Sequence, residues 1–272
     1  FANNKFEELW ADSVDVSQKY VDTIENKTWF SDKIIPYHLY LKLLYEYFKK
    51  QLNQADKINL PYTPPNFMHL DYQEQAVLNA KKILNEYGGV FISDVVGLGK
   101  TFIASMLARQ LDGRHLVIAP PVLLDEKNPG SWSNAFIDFN TSGKFVSIGK
   151  LDTLLDGKAD KFQNVFIDEA HRMRNPDTET YTKLAEICRG KRVILVSATP
   201  YNNTPKDILS LIGLFQNPRK STIPNHSNLE LFFGNLEKRI KDEDRRVDQA
   251  SYIQTTKENA REVRNKILRH LM

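Results

Sequence analysis

Cysteine occurs once in the 272 residues, at Cys188, which excludes an internal disulfide framework and fits a reducing compartment. The same thiol, at the end of a helix-like stretch, reads as a small buried apolar group rather than a nucleophile. No apolar run approaches the roughly 20 residues that cross a bilayer, so no membrane partner is expected, and no secretory leader is apparent. Net charge is also scarce. At +3 it gives no ground for inferring nucleic-acid binding from overall electrostatics; such binding has to be argued from a local site. Internal repeats and low-complexity tracts are lacking as well. What remains, with 41% hydrophobic residues, is enough chain for one large α/β core with helical additions.

The most informative segment runs from Gly89 to Thr101, where the apolar run Val90-Phe91-Ile92 leads into a glycine loop closed by Lys100-Thr101. Gly97 and Gly99, with Leu98 between them, let the backbone come close to phosphate oxygens, and the following helix start offers unpaired N–H groups to the same anion. Lys100 would reach the β and γ phosphates of a nucleoside triphosphate, and Thr101 would place its hydroxyl on the bridging Mg2+. The pattern departs from G-x-x-x-x-G-K-[ST] at its first position, where Asp94 stands.

Three further segments, 115–121, 165–171 and 193–200, are short runs rich in β-branched residues that end in polar groups. Such runs suit strands covered on both faces of a parallel sheet, and ligands bind at the carboxyl ends of such strands. Asp168 is therefore expected to hold the metal through its water shell. Glu169 is expected to orient and deprotonate the attacking water. Alternating strands and helices predict a parallel, doubly wound sheet.

Taken in order, Asp94 to Thr101, Asp168 to His171 and Ser197 to Thr199 resemble motifs one, two and three of a superfamily two helicase. Gly97-Leu98-Gly99-Lys100-Thr101 after an acidic residue is similar to the SWI/SNF-type ATPases, in their bacterial branch. Ala119-Pro120-Pro121, with Leu123, Leu124 and Trp132 downstream, resembles motif Ia of that family, and the likeness extends over residues 67–218. The resemblance implies a RecA-like ATP-binding lobe that couples ATP hydrolysis to movement on double-stranded DNA, with ATP and Mg2+ as its nucleotide and metal. It further implies that Gln73 reads adenine, and that His171, Ser197 and Thr199 couple the phosphate site to the nucleic acid. Leu70-Asp71 stands where relatives carry an arginine before Tyr72-Gln73. Motif three reads Ser-Ala-Thr where many relatives read Thr-Gly-Thr. RNA helicases and restriction-enzyme motors share these motifs, and a nucleotide switch without motor activity is the alternative of a different class.

The expected organisation is a helical connector over 1–56, a proline-containing linker over 57–66, the RecA-like lobe over 67–218 and a helical protrusion over 219–272. The pattern Q-x-x-G-R-x-x-R, which would supply an arginine finger, does not occur, so a second RecA-like lobe is expected elsewhere and this stretch alone is expected to be nearly inactive. By resemblance to bacterial relatives, a phospholipase-D-like nuclease could be fused upstream. Its H-x-K signature is absent, since none of the six histidines is followed two residues later by lysine. The bacterial cytoplasm, in association with the nucleoid, is the expected location.

Overall fold

The computed structural model describes residues 63–64, 67–68, 70–93, 99–198, 204–242 and 249–272, with isolated positions 20, 21, 40 and 43. Helices read into the first 56 residues, and Gly97, Leu98, Thr199 and the 200–203 segment, lie outside the described residues. The chain divides into two units, 1–59 and 60–272.

Within 60–272, five strands form one wholly parallel sheet: β1 (Gly89–Ile92), β2 (His115–Ala119), β3 (Gly143–Ser147), β4 (Asn164–Asp168) and β5 (Arg192–Val196). Their order across the sheet is β1-β5-β4-β2-β3. Seven helices are used below: α1 (Asp71–Tyr87), α2 (Lys100–Arg109), α3 (Trp132–Asp138), α4 (Glu179–Cys188), α5 (Pro205–Ile212), α6 (Leu229–Asp242) and α7 (Gln249–Val263).

Strands β1, β2, β4 and β5 lack a polar face because both faces are covered. Along β4, Val165 and Ile167 enter one core while Phe166 enters the other; along β5, Val193 and Leu195 are separated from Ile194 and Val196 in the same way. One core is closed by Val77 and Leu84 of α1, Ile103 and Leu107 of α2 and Phe136 of α3. The other is closed by Leu184 and Ile187 of α4, Ile208 and Leu211 of α5, Phe233 of α6 and Val263 of α7. Period-two alternation with apolar residues on both sides is the pattern of a doubly wound sheet, and that expectation holds. Cys188 is buried at the end of α4, where desolvation pushes its thiol up to about 12.

Three local features differ from the sequence reading. Strand β3 was not foreseen. It lies at the sheet edge, pairs among the described residues with β2 alone and carries exposed Lys144, so its composition resembles a loop. The last helix, described from Gln249, loosens its register into a π-helical turn over Arg264–Leu268 before Leu271, which helical periodicity does not foresee. Asn259, buried in α7, donates to the Leu236 carbonyl of α6 at 2.8 Å, which ties these two helices by a polar contact that periodicity does not reveal.

Two contacts set the position of β1, the strand that feeds the glycine loop. A Cβ on Gly89 would lie 2.2 Å from the Phe215 ring, so only glycine allows the ring to pack there. Buried Gln216 donates to the Tyr87 carbonyl at 2.9 Å, and its own carbonyl accepts from Thr222 N at 3.0 Å and Ser221 Oγ at 2.9 Å. The end of α1 is thereby braced against the loop after Pro218.

Candidate nucleotide site

Parallel strands that share one direction bring their carboxyl ends to one rim. That rim gathers Asp168 at the end of β4 and Ser197 just after β5. Gly99, Lys100 and Thr101 stand at the start of α2, beyond β1. Gly99 is the residue before α2 and adopts φ 78°, ψ 39°, the left-handed region that glycine enters without steric cost. Lys100 and Thr101 are the first residues of the helix, and the Thr101 carbonyl accepts from Ser105 Oγ at 2.8 Å. The first turn of a helix points its N–H groups outward along the axis, so this turn presents the positive end of the α2 dipole.

Gln73 lies beside that turn. An added Cβ at Gly99 would stand 2.9 Å from Gln73 Nε2, so the glutamine amide occupies the space directly over the glycine. Gln73 is buried, and its amide donates to Tyr72 Oη at 3.3 Å. Sequence separation does not suggest this neighbourhood; only the resemblance to a known family pointed to it.

Asp168 is 8% exposed, and both of its oxygens are held. Trp132 Nε1 donates to Oδ2 at 2.7 Å, and the Glu169 amide donates to Oδ1 at 2.8 Å. Burial pushes the carboxyl above the ordinary aspartate range; the two hydrogen bonds and the Lys100 charge act against it, while the Glu169 charge adds to it. A carboxylate kept in so dry a place favours a cation beside it. Among the described residues no group of three or more His, Cys, Asp or Glu side chains could hold a metal ion. One carboxylate and one threonine hydroxyl, completed by phosphate and water, is the donor set Mg2+ commonly takes, so these residues fit that ion.

Glu169 has φ 51°, ψ 41°, a left-handed conformation that costs a residue with a Cβ of order 1 kcal/mol and recurs at functional sites. The turn aims the side chain toward His171, whose Nδ1 lies 3.1 Å from Glu169 Oε2 and 3.3 Å from Ser197 Oγ. A bare Nδ1 lone pair facing a carboxylate oxygen would be repulsive, so the proton is assigned to Nδ1 and shared between the two acceptors. His171 thus spans the end of β4 and the end of β5. Of the residues singled out from the sequence, Asp168, Glu169, His171 and Ser197 form one connected group, and Gln73 with Gly99 forms a second. Trp132, foreseen only as a family marker, donates to Asp168 at 2.7 Å.

A family model described as the SNF2-related domain matches residues 145–229. A protein of Arabidopsis thaliana named as a probable ATP-dependent DNA helicase is 29% identical over 47% of this chain and 15% of its own length. An ATP-dependent helicase of Bacillus subtilis, uncharacterized by name, is 23% identical over 60% of this chain and 32% of its own. An ATP-dependent helicase of Schizosaccharomyces pombe is 28% identical over 45% and 16%. The chain therefore spans about a third or less of the length of these relatives. Among solved structures, the Sulfolobus solfataricus SWI2/SNF2 ATPase core in complex with dsDNA matches with a TM-score of 0.55 at 19% identity, over 78% of this chain and 46% of the other. Motif order and sheet order agree with these likenesses: residues 145–229 match the SNF2-related domain, the relatives are named as ATP-dependent helicases, and the parallel sheet with its helices has the RecA-like fold of that ATPase core.

Proposed function

We propose that this chain is the ATP-binding lobe of a SWI/SNF-type translocase that moves on double-stranded DNA. The observation that carries the reading is the rim itself: Lys100 acts electrostatically on Asp168, and Asp168 continues into a strained Glu169 that is linked through His171 to Ser197. In this reading the N–H groups at the start of α2 and the Lys100 ammonium bind the triphosphate, and Gln73 reads the adenine edge. Thr101 and Asp168 would hold Mg2+, the latter through water, and the ion would neutralise charge on the phosphates. Glu169 orients the attacking water and takes its proton. His171 senses whether Glu169 is engaged and passes that state to Ser197, with Thr199 in the same coupling role. The transition-state arginine comes from a second lobe.

Support for a polyanionic track comes from the sheet edge. Beyond Pro121, a cavity of about 700 Å3 is lined by Lys144, Lys150, Lys158 and Lys161, with Asp125 as its one acidic residue. None of these four lysines forms an ion pair among the described residues. The neighbouring structure of an ATPase core bound to dsDNA supports duplex DNA as that polyanion. Residues 219–272 would form the helical protrusion of this lobe, and 1–56 its connector to whatever precedes it.

The deciding experiment measures ATP turnover by the longer protein with duplex DNA, duplex RNA or neither. Stimulation by duplex DNA together with displacement of a bound triplex-forming strand is the expected result. Stimulation by RNA alone would move the protein to the RNA helicases, and tight ATP binding with no nucleic-acid response would make it a switch.

A further inference from the structure

We propose that Trp132 is a positioning residue for Asp168: its indole N–H fixes the plane of the carboxylate, so that the remaining lone pairs face the metal's water shell. The inference rests on the reading of Asp168 as the carboxylate beside Mg2+. Its own evidence is geometric. Trp132 is the first residue of α3 and is 0% exposed, and its Nε1–H has one short contact, 2.7 Å to Asp168 Oδ2. With Glu169 N on Oδ1 at 2.8 Å, each carboxylate oxygen carries one fixed donor, which removes rotation about the last side-chain bond. Each oxygen keeps one lone pair for an outer ligand.

The indole is itself immobilised. Its ring packs against Phe136 at 5.9 Å and Phe166 at 6.1 Å between centroids, one ring from α3 and one from β4. The start of α3 is pinned by Ser131 Oγ, which accepts from Asn134 N at 3.3 Å, and by Asn134 Nδ2, which donates to the Glu126 and Asn128 carbonyls at 2.8 Å each. A tryptophan that served packing alone could be replaced by any ring. This one spends its only donor on the carboxylate of the site. Outer partners of metal ligands commonly matter by about 10- to 100-fold in metal affinity or activity.

The test compares Trp132→Phe, which keeps a ring and removes the N–H, with Phe136→Leu, which loosens the same aromatic group and leaves the N–H in place. Binding of a fluorescent ATP analogue to the 272-residue chain is followed while Mg2+ is titrated. Trp132→Phe should raise the Mg2+ midpoint by about 10-fold or more with metal-free nucleotide affinity unchanged; Phe136→Leu should lower the thermal midpoint and leave the Mg2+ midpoint where it was. In the wild type, the 15N-labelled Trp132 Nε1–H resonance should shift on adding Mg2+ with ATP and not with ATP alone. This second measurement stands even if Trp132→Phe does not fold. A wild-type Mg2+ midpoint in a folded Trp132→Phe variant, or a resonance indifferent to the metal, overturns the inference and leaves the nucleotide site intact. A wild type that binds ATP with no response to Mg2+ at all overturns the assignment of Asp168, and the positioning role with it.

Discussion

Replacing Gly99 by alanine probes the nucleotide turn and the adenine contact together. The backbone at this position has φ 78°, and a left-handed residue with a Cβ costs about 1–2 kcal/mol. The new methyl would stand 2.9 Å from Gln73 Nε2, which is the far end of a flexible side chain and can move a few tenths of an ångström for little energy. The stability loss should therefore be almost entirely backbone strain. For a unit of this size, about 2–4 °C of melting temperature per kcal/mol gives a fall of roughly 2–8 °C. On the proposed reading the base contact behaves differently, because a hydrogen bond from Gln73 to the adenine edge weakens steeply even for a shift of that size. A double-mutant cycle separates the two effects. Thermal unfolding of Gly99→Ala, Gln73→Ala and the double variant should be additive within about 0.5 kcal/mol. Selectivity for ATP over GTP, measured by competition binding, should be lost in each single variant and lost no further in the double. An unchanged melting temperature would mean that residue 99 does not hold the left-handed conformation, and full adenine selectivity in Gly99→Ala would mean that the two residues do not meet.

Lys100→Ala should abolish most triphosphate affinity, whereas Glu169→Gln should bind ATP nearly as the wild type does and fail in single-turnover hydrolysis; equal loss of binding in both would show the roles to be misassigned. Replacing Lys144 and Lys158 together by glutamine should reduce the salt dependence of duplex DNA binding, lowering the slope of log affinity against log salt by about two while leaving DNA-free ATP turnover alone, and an unchanged slope would remove this edge from the track. Buried His115 accepts from Asn164 Nδ2 at 3.1 Å, and its pKa is lowered to about 4, first by desolvation and then by the Arg192 charge. Its neutral form is the folded form, so this contribution is complete above about pH 6.5 and falls away toward pH 4, for a total of about 3 kcal/mol. Urea unfolding should show the gap between wild type and His115→Gln closing over that window, and a constant gap would refute the assignment. ATP turnover by residues 1–272 alone should lie about 10³-fold or more below that of a two-lobed form, and comparable rates would place the arginine within this chain or a second copy.

Strands β1, β2, β4 and β5 were legible because each is apolar at both alternations, which only a doubly covered strand tolerates. Strand β3 was not, since an edge position asks for charge and Lys144 supplies it. In the candidate site, the helix start at Lys100 and the place of Asp168 at a strand end were legible from local spacing, each lying downstream of an apolar run. The Trp132 contact was not, because its partner lies 36 positions away and an indole is as well suited to packing as to donating. Nor could spacing disclose that His171 would stand between Glu169 and Ser197; that needs β4 and β5 to be neighbours, which sheet order decides.

That order also has a consequence for how the protein is made. Strand β1, which launches the phosphate loop, pairs within the sheet only with β5, so Gly89 waits for Val193 and Ile92 for Val196. A chain emerging amino-terminus first must hold this apolar strand unpaired until nearly all of the sheet has been synthesised. Closing so long a loop is slow compared with local helix formation. The turn before α2 is thus assembled among the last parts of the lobe, and on the proposed reading ATP binding by a nascent chain would report a finished sheet.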